Sequence, residues 1–115
     1  MTYVSGYLAA VKTADKQKYT DFAAEMVSYF KDRGAVRVVE CWGEDVPDGA
    51  VTSFPMAVKK EDDETVIFSW IEWPDRATCD ACWEAMMSDT SMEGVEMPFD
   101  SKRMIFGGFQ TIVDQ

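Results

Sequence analysis

A chain of 115 residues with 47% hydrophobic content can bury one core and is short for two, so a single domain spanning 1–115 is expected. Eleven Lys and Arg stand against 21 Asp and Glu, a formal net charge of −10, and histidine is absent. An acidic surface repels phosphate backbones and anionic lipid, which argues against nucleic acid and against membranes as partners. Without histidine, haem on a proximal His, His-bound zinc and Ser-His-Asp or Cys-His catalysis are excluded, and neither a metal nor another cofactor is expected.

The N-terminus Met1-Thr2-Tyr3-Val4 lacks the basic and apolar regions of a secretory signal, and no stretch of about 18 apolar residues occurs, so a cytoplasmic protein is expected. The cysteines Cys41, Cys79 and Cys82 form an odd set and are read as reduced thiols. From Tyr3 to Val11 the β-rich run predicts a first strand. Asp15 offers a helix N-cap, and Tyr19, Phe22, Ala23, Met26 and Phe30 recur on one helical stripe up to Gly34, the natural stop. Ala35 to Trp42 reads as strand two, followed by the acidic turn-rich loop 43–49. Phe54 to Val58 fits neither period, and Lys59 to Glu64 is a charged turn. A connection of about 20 residues in a compact domain is commonly a lid or binding loop. Thr65 to Trp73 is the strongest β segment, Pro74-Asp75 open a second helix ending near Ser88-Asp89, and 90–102 are irregular. Arg103 to Val113 is the fourth strand, with Gly107-Gly108 marking a bulge or a close backbone approach.

This order is the α+β, ferredoxin-like βαββαβ pattern: a four-stranded antiparallel sheet with two helices on one face. A half-exposed antiparallel strand alternates apolar with polar residues. Strand three instead sets Val66, Phe68 and Trp70 against Ile67, Ile71 and Trp73, and strand four sets Met104, Phe106 and Ile112 against Ile105, Phe109 and Val113. Helices on one side leave the other side uncovered, and a second copy of the sheet is the simplest cover, which predicts a homodimer.

Among residues able to carry chemistry, Cys79-Asp80-Ala81-Cys82 has the CxxC spacing of thiol oxidoreductases. Cys79 falls a turn inside its helix, beside Asp75 and Asp80, where a thiolate is disfavoured; the pair reads as core packing with Trp83 and Met86. Glu40 and Glu72 sit in apolar strand runs beside Trp42, Trp70 and Trp73, where burial favours a protonated carboxyl and suits acid or base work. The alternatives are solvated strand ends or ion pairs with Arg37 or Arg103. The loop carboxylates Glu44, Asp45 and Asp48 lack the spacing of a calcium site and read as a solvated turn.

Three stretches together, Val38 to Gly49, Phe68 to Pro74 and Met97 to Phe109, resemble the YbaA-like family of bacterial proteins of unknown function. The resemblance implies a dimeric α+β barrel and no established activity. It draws attention to Glu40, Trp42, Asp45, Asp48, Trp70, Glu72, Asp100, Lys102 and Arg103, which lie within the matched stretches. The leading expectation is a small-molecule enzyme or binder of aromatic or phenolic compounds, with its pocket between sheet and helices under the 42–60 loop. Glu40 or Glu72 supplies the acid or base, Arg103 holds an anionic group, Trp42 and Trp70 form walls, and Asp45, Asp48, Asp100 and Lys102 are further ligand contacts. A non-catalytic homodimeric interaction module is the alternative.

Overall fold

The computed structural model describes residues 2–89 and 96–115. Its elements are β1 (Tyr3–Lys12), α1 (Lys16–Asp32), β2 (Arg37–Trp42), the one-turn α2 (Phe54–Ala57), β3 (Glu64–Trp73), α3 (Arg76–Ser88) and β4 (Ile105–Gln110). All strand pairings are antiparallel and the spatial order is β2-β3-β1-β4. The α+β, ferredoxin-like arrangement expected from the sequence is therefore the observed one. No helix among the described residues is long and apolar enough to cross a membrane.

Directly opposed residues of neighbouring strands share a face. The pairs Ser5↔Ile71, Ala9↔Ile67, Val38↔Ile71, Glu40↔Ser69 and Trp42↔Ile67 define one face, and Leu8↔Phe68, Val39↔Trp70, Arg37↔Glu72 and Val4↔Phe109 the other. The first face carries α1 and α3. Tyr19 and Ala23 of α1 pack on Ala9, Val11 and Ile67, while Phe30, Cys79 and Cys82 pack on Ile71 and Trp73. Among the described residues the second face is covered at one end, where Val58 after α2 closes on Ala10 and Val66. Beyond that end Phe68, Ile105 and Phe109 are 46%, 42% and 60% exposed.

Local signals account for most boundaries. Gly34 ends α1 with φ of +103°, and a side chain there would collide with Thr78 of α3. Asp75 caps α3 by accepting from the Thr78 N–H at 2.8 Å. The untyped Phe54 segment becomes helical because Ser53 accepts from Met56 N at 3.1 Å and Pro55 fits a first turn.

Four expectations need correction. Asp15 makes no side-chain cap, since a 3-10 turn, Thr13–Asp15, already feeds the chain into α1. Strand two begins at Arg37 rather than Ala35, the residues after Gly34 completing the helix stop through Ala35 N–H to Phe30 C=O. β4 spans only Ile105–Gln110, leaving Ile112 and Val113 beyond it. Gly107-Gly108 is no bulge, because both pair in register with Gly6 and Ser5; Gly108 instead admits the Tyr3 ring, which a side chain would strike. Of the irregular stretch expected at 90–102, residues 90–95 lie outside the described residues.

Candidate functional site

Glu40 lies on β2, an edge strand, with its side chain on the helix-covered face. The residue as a whole is exposed, but its carboxylate end turns inward to α1, where the Tyr19 hydroxyl donates to Oε1 at 2.6 Å. Tyr19 belongs to the apolar stripe of α1 and is 7% exposed, so its hydroxyl needs an acceptor inside the fold. Ser69, buried on β3, stands directly opposite Glu40. Loss of water raises the Glu40 pKa above the ordinary glutamate value, and hydrogen bonds from Tyr19 and Ser69 only partly oppose this. Burial, with the adjacent carboxylate, pushes the Tyr19 hydroxyl far upward, so Tyr19 remains a donor at any physiological pH.

Beside this pair runs a groove of about 260 Å³ between α1 and β2, with Tyr19, Ala23, Val27, Val38, Glu40 and Trp42 in its lining. Trp42 is partly buried, its ring 6.5 Å from that of Tyr19, and the Lys16 ammonium lies 5.7 Å from its ring centroid.

Glu72 is on the opposite face of the sheet. The two carboxylates expected to work as a pair are therefore separated by the sheet itself, because 40 pairs with 69 and 72 with 37. Glu72 accepts from Trp70 Nε1 at 3.1 Å and meets Arg37 at 3.8 Å. These residues border a concavity of about 770 Å³ over the open face, shared with Leu8, Phe68, Ile105 and Phe109. It is the larger hollow, yet its carboxylate is already answered and its remaining lining is mostly apolar.

Arg103 is not an anion anchor beside either glutamate, contrary to the sequence expectation. Its guanidinium makes a bidentate pair with Glu64 at 2.8 and 2.7 Å, and also binds Asp100 at 3.1 Å and the Lys59 carbonyl at 2.9 Å. The Glu64 side chain is only 3% exposed. Hydrogen bonds from Arg103 hold its pKa down at about 2. This cluster fastens the segment before β4 to the start of β3 and to Lys59, a non-glycine residue at φ of +49°. Asp100 also accepts from the Lys102 N–H at 3.0 Å, so it shapes the turn into β4. Lys102, Asp45 and Asp48 are exposed, and neither aspartate, both on the 43–53 loop, lines the groove beside Glu40. Of the expected site residues, Glu40 and Trp42 meet in the groove between α1 and β2, Trp70 and Glu72 meet in the concavity of the open face, and Trp42 and Asp45 border a further hollow together.

Cys79 and Cys82 are both 2% exposed. Cys79 lies 3.2 Å from Ser5 Oγ, which also accepts from Trp73 Nε1 at 3.0 Å, and burial raises the Cys82 thiol. Both sulfurs are core atoms, packed with Phe30, Ile71 and Trp73.

A family described as "Protein of unknown function (DUF1428)" matches residues 2–101. The chain belongs to this family. It is 52% identical over 117 residues to the uncharacterised protein YbaA of Escherichia coli strain K12, each chain covered completely, and equally so to YbaA of Shigella flexneri. Among solved structures it resembles a dimeric ferredoxin-like protein from an uncultured marine organism, with a TM-score of 0.63, 10% identity and full coverage of both chains. At that identity the likeness concerns the fold.

For this member of the family, sequence reading missed Tyr19, Ser69 and Glu64. Tyr19 reads as one member of a helix stripe, although burying a hydroxyl costs free energy unless it finds a partner. Glu64 reads as part of a charged turn, and only the register shows that it opens β3 on the sheet, within reach of Arg103.

Proposed function

We propose that this protein binds a small molecule in the groove between α1 and β2, with Glu40 as the group that accepts or gives up a proton. Tyr19 fixes the carboxylate and Trp42 forms the aromatic wall. The observation that carries this reading is the 2.6 Å Tyr19–Glu40 hydrogen bond, an inward-turned carboxylate held by neutral hydroxyls beside open space. A carboxyl whose pKa is raised by burial moves toward the range in which acid–base exchange is useful. Glu72 lies on the opposite face and does not share this role. Thermal-shift screening with one-ring aromatic and phenolic compounds tests the reading, since a ligand of the native state raises the melting temperature. Stabilisation that disappears in both Glu40→Gln and Tyr19→Phe is the expected result. Compounds that stabilise both variants as well as the native protein overturn it, as does a screen without any stabiliser.

A second reading, compatible with the first, is favoured by the open sheet face. Exposed Phe68, Ile105 and Phe109 around a shallow hollow are what an isologous sheet-to-sheet interface presents, and the structural neighbour is itself described as dimeric. We infer a homodimer built through this face, with the Arg37–Glu72 pair at its border. Sedimentation at micromolar concentration is expected to give twice the chain mass; a monomer there contradicts it.

A further inference from the structure

We propose that the groove beside Glu40 is selective for a small organic cation: a protonated amine on an apolar or one-ring body, its ammonium on Glu40 and its body against Trp42. This rests on the reading of that groove as a binding site and names the class of ligand. Of the charged strand carboxylates, Glu40 is the one whose partners are all neutral. Glu64 has Arg103 and Glu72 has Arg37, whereas the Glu40 carboxylate is met by the Tyr19 and Ser69 hydroxyls. Among the described residues no Lys or Arg comes within ion-pair distance of it, and the groove lining contains no other formal charge. A partly desolvated carboxylate without a counter-ion is relieved either by a proton or by a cation brought from outside. Protonation and amine binding therefore compete, and binding weakens as the pH falls through the Glu40 titration.

Two further features favour the cation. The Trp42 ring already accommodates an ammonium, that of Lys16 at 5.7 Å, so the field above this ring attracts positive charge. The net charge of −10 adds a long-range bias in the same direction. A neutral phenol leaves the Glu40 charge uncompensated. No Lys or Arg lines the groove itself: the Lys16 ammonium lies over the Trp42 ring, outside the lining, and Arg103 is committed elsewhere.

The experiment compares three probes of similar shape, 2-phenylethylamine, 2-phenylethanol and 3-phenylpropionate, by NMR titration read at the Trp42 indole and the Glu40 and Tyr19 signals. The amine is expected to bind about tenfold or more tighter than the alcohol, as a charge-assisted bond implies, with the carboxylate weakest. Glu40→Gln, which is close in shape and keeps an acceptor for Tyr19, is expected to abolish that preference. If the alcohol binds as well as the amine, or if the preference survives in Glu40→Gln, the cation inference is overturned while the groove remains a site. If none of the three shifts those signals, the site and its selectivity fall together.

Discussion

Glu64 and Glu40 are both strand glutamates with carboxylates drawn in from water, and the fold treats them oppositely. Glu64 receives a guanidinium in bidentate geometry and is held as an anion down to about pH 2. Glu40 receives only hydroxyls, and its proton affinity rises. The first arrangement gives both carboxylate oxygens a guanidinium donor and makes a structural clasp between β3 and the approach to β4. The second leaves a charge that the protein itself does not neutralise, at a place where a ligand can reach it. Unanswered polarity, more than burial as such, separates a candidate site from scaffold here.

Single substitutions separate the two arrangements. The largest effect is expected from Glu64→Gln, which strips Arg103 of its principal partner and should cost about 3 kcal/mol in urea unfolding at neutral pH. The native pairing lowers the Glu64 pKa, so its contribution is present above the ordinary value of 4.5 and is lost as the pH falls toward about 2. The variant should therefore show a flatter stability profile across that interval. Phe68→Asp places a charge at the centre of the open face, where the monomer leaves it solvated; dimer affinity should weaken by about 2 kcal/mol or more, read by sedimentation. Asp75→Ala removes the α3 cap and should cost about 1 kcal/mol in thermal unfolding. The smallest effect has the opposite sign. The folded state raises the Glu40 pKa, so its contribution is full below the ordinary value and is lost as the pH rises through the folded one. Glu40→Gln is accordingly expected to melt slightly higher than the native protein at pH 7, with the gain vanishing in acid.

Much of this fold was legible in the residues. Gly34, Asp75 and the β-branched run of β3 act locally, and a local cause can be read from one stretch of chain. The apolar second face was likewise written in Phe68, Trp70, Ile105 and Phe109. What the sequence hid was register. Whether Glu40 and Glu72 share a side depends on which residue of β3 opposes each residue of β2, and a shift by one position reverses the answer. For the same reason Arg103 appeared free to hold an anion when its partner lay 39 residues away at the first position of β3. Trp42 and Glu40, by contrast, are alternate residues of one strand and share a face whatever the register.

Glu40 and Glu64 are expected to titrate on opposite sides of an ordinary glutamate. A carbon-detected NMR titration of the glutamate side-chain carboxyls measures this directly. The expected result is a Glu40 midpoint above 4.5 and a Glu64 midpoint near 2. A Glu40 midpoint at or below the ordinary value would mean that its charge is already neutralised, and would contradict the assignment of this groove as the site.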